Sequence, residues 1–205
     1  ALSLLVRPLG AYSLEVCSNG AVRDEYLPRM LRAEIIACSG ISEPGVGSNV
    51  AEVTCRAKQD GDHYVVTGEK TWISNGHYSD FCMVVVRTSD DGAKGLSMIL
   101  VDRAEHGYES RNIDKLGLNS TSTAQLFFDN VRVPAANILG GENQGWGVGI
   151  TTLMYERLAL GFGQEDYIGV CKLLEALGQM VYLGVGHRHK APVARPGRIV
   201  NLLDL

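Results

Sequence analysis

The chain has 205 residues, 45% of them hydrophobic and 20% charged, which is enough apolar surface for a sizeable core and too much for a disordered polymer. Its formal net charge is −4 and its basic residues are scattered, which excludes the dense positive stripe of a nucleic-acid binder. No uninterrupted apolar run is long enough to span a bilayer, so the sequence implies neither a nucleic-acid nor a membrane partner.

The first residues, Ala1 to Pro8, lack a starting Met and a basic leader and read as a cut end. Residues 23–34 carry Tyr26, Leu27, Met30 and Leu31 at helical spacing, predicting a short helix with Pro28 in its first turn or at a kink. From Ile35 the period becomes two. Strands are predicted over 35–42, 52–59, 63–67 and 69–74, the last three forming a hairpin with a break at Gly68 that Asn75-Gly76 closes. Further strand-like runs follow at 81–88, 95–102, 108–113 and 123–131. Strands this frequent, without helices between them, predict an antiparallel sandwich or barrel.

Pro134 and the glycine-rich stretch 140–147 read as a linker. Helical spacing returns over 148–161, where Ile150, Met154 and Leu158 share a face, and again over 166–181. The tail from Gly184 has no clear period, and no internal repeat is present. Five cysteines, Cys17, Cys38, Cys55, Cys82 and Cys171, include no C-x-x-C pair and no histidine at zinc-ligand spacing, which implies reduced thiols in a cytosolic chain and no metal site.

Several short segments could carry chemistry. Residues 43–49, Glu-Pro-Gly-Val-Gly-Ser-Asn, put closely spaced glycines after a strand, where backbone N–H groups can approach a phosphate or a flavin ring; read alone they could equally be a wide turn. The strand-like run after them argues against a dinucleotide-binding fold, which needs a helix there. Trp72 and Ser74 are two residues apart and share a strand face, so both could meet one planar ligand, or be a core indole beside a turn serine. Glu156 stands alone in a mostly apolar helix, where a desolvated carboxylate would suit proton abstraction; its plain alternative is a solvated side chain or one paired with an arginine. The loop 115–123 is hydroxyl-rich like many loops, and His187, Arg188 and His189 have no partner ligands nearby in sequence.

Taken in order, Ile41-Ser42-Glu43-Pro44-Gly45-Val46-Gly47-Ser48, Gly68 to Gly76, Lys115-Leu116-Gly117 with Ser122-Thr123, and Val131-Arg132-Val133-Pro134 resemble the acyl-CoA dehydrogenase family, over about residues 22–163. The resemblance implies an α+β multidomain fragment. Residues 1–34 would be a remnant of an N-terminal helical domain, 35–140 the middle β-barrel or sandwich domain, and 141–205 the start of a C-terminal helical domain with an atypical tail.

It further implies FAD-dependent dehydrogenation of an acyl-CoA thioester to a trans-2-enoyl-CoA, with electrons passed to an electron-transfer flavoprotein. By similarity, Ser39, Ile41, Ser42, Gly47, Ser48, Trp72, Ile73 and Ser74 would line the flavin, Ser74 near the atom that receives hydride. Ser48 would also touch the thioester or pantetheine, and Tyr155 and Arg157 would contact substrate. The segment Tyr155-Glu156-Arg157-Leu158 resembles that of the members whose base lies early in the C-terminal domain, making Glu156 the expected base.

The sequence departs from the family at Ser39, Asn49 and Asn119, and after Gly163 the resemblance stops. The expected setting is the cytoplasm, or the mitochondrial matrix in a eukaryote, and the family forms homo-oligomers. The alternative is a truncated, non-catalytic β domain that binds acyl-CoA or a protein partner and has lost its flavin.

Overall fold

Strand-forming sequence dominates the described residues between helices near residue 20 and residue 145. The computed structural model describes residues 10–15, 17 and 19–161, with side chains through Met154. The predicted helix 166–181, Cys171, the His187–His189 cluster and the tail lie outside the described residues.

Residues 10–15 are helical (α1), followed by α2, Gly20–Leu31. This second helix sits three residues earlier than its apolar spacing predicts. Asn19 caps it, its Oδ1 accepting from Ala21 N at 3.0 Å, and Ala33 at φ +62° turns the chain away after Arg32. Its buried side is Val22, Tyr26 and Met30, one turn apart, and Pro28 lies inside the helix. Tyr26 packs edge-on against Phe81, with ring centroids 5.1 Å apart, and donates its hydroxyl hydrogen to Asp102 at 2.9 Å. That contact fastens the helix to the sheet.

Eight strands follow: β1 Ala37–Gly40, β2 Arg56–Asp60, β3 His63–Ser74, β4 Phe81–Arg87, β5 Leu96–Asp102, β6 Glu109–Asn112, β7 Thr123–Pro134 and β8 Ile138–Leu139. A one-turn helix, α3 (Arg103–His106), separates β5 from β6, and α4 (Gly145–Gly161) closes the described chain. The sheet runs β6-β7-β3-β2-β4-β5-β8, with β1 added beside β4.

The purely antiparallel expectation needs one correction. β1 pairs with β4 in parallel, and β2 meets β4 in parallel at Arg56 and Arg87. The excursion from Ile41 to Cys55 carries the chain across so that both strands reach β4 in the same direction. Residues 50–52 form a 3₁₀ turn, so the predicted strand 52–59 begins only at Arg56. The predicted linker is structured too: helix α4 starts at Gly145.

β4 and β5 hold the centre. Phe81 to Arg87 are buried without a break, as are Leu96 to Val101, so each strand is covered on both faces. Buried Arg87 ends β4 by donating to the carbonyl oxygens of Ala51, Val53, Ser89 and Gly92, which ties the 50–53 turn to the β4–β5 connection. Among the described residues no helix is long and apolar enough to cross a membrane, and no cluster of three or more metal-ligating side chains occurs.

Candidate functional site

The connection between β1 and β2 is held by a buried ion pair. Lys70 Nζ lies 2.8 Å from Glu43 Oε1, and the two side chains are 0% and 3% exposed. The lysine also donates to Ile41 O at 3.2 Å. Glu43 accepts from Thr54 N (2.8 Å), Thr54 Oγ1 (2.6 Å) and Cys55 N (2.9 Å), so both carboxylate oxygens are satisfied. Burial by itself would raise the Glu43 carboxyl; the Lys70 ammonium and the Thr54 donors outweigh it and hold the group below the ordinary carboxylate range.

This pair fixes both ends of a tight turn. Glu43 and Val46 exchange backbone hydrogen bonds of 2.9 and 3.1 Å, and Thr71 N donates to Ser42 O at 2.9 Å. The turn therefore sits against β3 at a chosen place. Gly45, Gly47 and Ser48 are exposed at its tip, and a Cβ added to either glycine would meet nothing within 4 Å. The glycines leave an open backbone face.

The place chosen on β3 is a β-bulge. Before it the even positions Tyr64, Val66 and Lys70 point inward; after it the buried residues are Thr71 and Ile73. The slip turns Trp72 and Ser74 outward together, where unbroken alternation from Tyr64 would have buried both. Trp72 has φ +61° and is 65% exposed. A bulky residue in the left-handed region, its indole uncovered, is the backbone strain that clusters at ligand sites. Ile73 faces the core at 3% exposure, so only its backbone is available to a ligand. Ser39, on β1, and Ser42 are half-buried.

The second wall is α4. Gly145 lets the helix approach β5 closely, since a Cβ there would lie 2.3 Å from the Ser97 carbonyl carbon. Between the helix and the β1–β2 connection is a cleft of about 250 Å³, walled by Ile41, Val50, Val85, Trp146, Ile150 and Met154 among others, with Ser48 the hydroxyl-bearing residue of its lining. The structure thus gathers Ile41 and Ser48 at the cleft, and ties Ser42 to the bulge that presents Trp72 and Ser74. Tyr155, Glu156 and Arg157 belong to the backbone of α4 just beyond Met154, and their side chains lie outside the described set.

Sequence reasoning missed two elements of this arrangement. The Glu43–Lys70 pair spans 27 positions and carries no local signal. The cleft wall from α4 was visible only as the helical spacing of Ile150 and Met154, with nothing to indicate that Trp146 and Gly149 complete it.

A model of the acyl-CoA dehydrogenase middle domain matches residues 38–131. The mitochondrial isovaleryl-CoA dehydrogenase of Pongo abelii is 37% identical over 175 residues, covering 80% of this chain and 41% of that protein. Cyclohexane-1-carbonyl-CoA dehydrogenase of Geobacter metallireducens is 35% identical over 162 residues, covering 78% and 43%. The structure of a glutaryl-CoA dehydrogenase of Mycobacterium smegmatis in complex with FADH2 superposes with a TM-score of 0.72 at 31% identity, covering 79% of this chain and 41% of that one. The chain therefore spans about two fifths of the length of these relatives. The strand-rich domain built around β4 and β5, the turn docked on the β3 bulge and these matches have one meaning: the chain belongs to the acyl-CoA dehydrogenase family.

Proposed function

We propose that the chain is the flavin- and thioester-binding portion of an FAD-dependent acyl-CoA dehydrogenase. The reaction removes a proton from the α-carbon and a hydride from the β-carbon of an acyl-CoA, leaving a trans-2-enoyl-CoA, and the electrons pass to an electron-transfer flavoprotein. In this reading residues 35–140 are the middle domain, 1–34 belong to the N-terminal helices and 141–205 to the C-terminal ones, within a homo-oligomer. The observation that carries it is the apolar cleft between the β1–β2 turn and α4, with Ser48 in its lining and Glu156 on the same helix.

The residues present fit a flavin. Trp72 offers an uncovered planar face, Ser74 an exposed hydroxyl on the same side of β3, and the Gly45–Ser48 tip an open backbone. Bound FAD supplies the hydride acceptor, which no side chain of the chain can provide. Ser42 and the backbone around it, with Trp72, Ser39, Ile41, Gly47 and the backbone of Ile73, are the residues that would hold the flavin.

Ser48 steadies the thioester end of the substrate, with Tyr155 and Arg157 as further contacts, while the apolar wall takes the acyl chain. Glu156 follows Met154 by two positions on α4, the helix that supplies one wall of the cleft. Glu156 takes the α-proton, a transfer that also requires the thioester oxygen to be polarised by hydrogen-bond donors.

The test is the visible spectrum of the purified chain after addition of FAD, followed by anaerobic titration with acyl-CoA thioesters. Flavin bands that bleach with a thioester, and that survive unbleached in Glu156→Gln, sustain the reading. Flavin bands that no thioester bleaches remove dehydrogenation by this chain, and a protein that stays colourless after FAD is added overturns the flavin-binding reading.

A further inference from the structure

A group of buried polar side chains meets where β1 pairs with β4, and none of them lines the apolar cleft. Cys38 and Cys82 are each 0% exposed and are register partners on these parallel strands. Paired strands lie about 4.8 Å apart, inside the Cα separation of roughly 4.4–6.8 Å that a disulfide spans. The Cys82 sulfur lies over β1, since a Cβ added at Gly40 would meet it at 3.1 Å, and it interacts with the Cys38 thiol. Cys17 donates instead to Ile138 O, and the Cys55 sulfur lies against Gly68.

Ser79 is 2% exposed and donates its hydroxyl hydrogen to Cys38 Sγ at 3.1 Å, sharing it with Gly76 O at 3.4 Å. A serine has one such hydrogen, so the Tyr108 hydroxyl, 3.0 Å from Ser79 Oγ, is the donor in that contact. Arg103 stands over the Tyr108 ring, its guanidinium carbon 4.5 Å from the centroid, and donates to Gly76 O, His77 O and Ser110 Oγ, all neutral acceptors. Hydrogen-bond donors and a nearby cation favour a thiolate. Burial by itself would raise the Cys38 thiol; hydrogen bonds from Cys82 and Ser79 and the Arg103 charge outweigh it and hold the group below the ordinary thiol range. Burial and the neighbouring Cys38 push Cys82 the other way, so the pair has one nucleophile and one thiol that keeps its proton. Ser79 and Arg103 also line a surface cleft of about 360 Å³, so the serine that touches Cys38 borders open space.

We propose that Cys38 and Cys82 form an oxidative modification site, in which a small hydroperoxide oxidises Cys38 and Cys82 closes a disulfide between β1 and β4. The Cys38 sulfur attacks the peroxide: an S–O bond forms, the O–O bond breaks, and the leaving oxygen departs with the thiol proton as water or an alcohol. The Cys82 sulfur then attacks the sulfenic sulfur: the S–S bond forms, the S–O bond breaks, and hydroxide leaves with the Cys82 proton as water. Two electrons pass from the thiols to the hydroperoxide. Hydrogen peroxide is little larger than water, so a shift of the Ser79 side chain admits it where a bulky thiol reagent is shut out. The bridge fastens β1 to β4 just ahead of the excursion from Ile41 to Cys55. None of this depends on the flavin reading of the other site.

The test treats the full chain in native buffer with hydrogen peroxide, blocks the remaining thiols with iodoacetamide in denaturant, and maps the products by mass spectrometry, with fragmentation to separate Cys38 from Cys55. The expected result is a peptide pair linked through Cys38 and Cys82 that dithiothreitol returns to free thiols. It forms faster than a bulky maleimide modifies the same cysteines, at a rate that low denaturant leaves unchanged. In Cys82→Ala a dimedone adduct accumulates on Cys38 instead. Ser79→Ala slows bridging by about threefold, the net of a smaller thiolate fraction and a more nucleophilic thiolate.

A first disulfide between other cysteines, a sulfinic Cys38 with no bridge, bridging no faster than unfolding, or no reaction at all overturns the proposal. The wild-type map decides the matter by itself if a variant does not fold.

Discussion

Glu43 and Lys70 are each out of water and each depends on the other, so removing one charge strands its partner. Glu43→Gln should destabilise the fold by about 3–5 kcal/mol, measured as the shift of the denaturant midpoint, whereas replacing both residues with apolar ones of similar volume should cost far less. The native Glu43 carboxyl is held below its unfolded value. The stability it contributes is therefore fully present above an unfolded carboxylate pKa of about 4.3, and is lost as pH falls through the depressed native value. The denaturant midpoint of the wild type should fall along that acid limb, and Glu43→Gln should fall less. At Trp72 the balance is different. Trp72→Gly relieves roughly 1 kcal/mol of left-handed strain and adds a similar entropy to the unfolded chain, so thermal stability should move little. Flavin absorbance per mole of protein should drop, because the exposed indole is the surface that is lost.

At the scale of elements, the site depends on two close approaches that only glycine permits. Gly68, at φ +141°, would put a Cβ 2.7 Å from the Cys55 Cα, so β3 can pass the end of the Glu43 turn only with hydrogen at that position. Gly145 plays the same part where α4 meets β5. Gly145→Ala should push the start of the helix off Ser97, lower the melting temperature and change the Trp146 emission, since the indole forms part of the cleft. Gly68→Ala should cost at least ~2 kcal/mol through a disallowed backbone angle and a backbone clash together, and it should broaden the amide resonances of the β2–β3 hairpin.

Over the whole molecule, the four described cysteines report on how completely the core is closed. Cys17, Cys38, Cys55 and Cys82 are at most 5% exposed, and burial pushes the Cys55 thiol up to about 11. A thiol reagent in excess at pH 8 should modify these four only at the rate of global unfolding, with the logarithm of that rate rising linearly with denaturant. Much of this architecture was legible in the sequence. Period-two runs located the long strands, because alternation records which face is buried, and the motifs from Ile41 to Pro134 pointed to the family through local residue order. The turn at Gly45–Ser48 was visible as residue types in the right order.

The three-dimensional structure decided what no local pattern carries. The Glu43–Lys70 pair, the parallel docking of β1 on β4, and the bulge that turns Trp72 and Ser74 outward all join positions distant in sequence or break a period by one residue. Sequence by itself determined the strand-rich domain and its family, since periodicity and motif order are properties of neighbouring residues. Tertiary structure alone decided the cleft, since a cavity is defined by atoms from separate segments and by the volume they leave unfilled.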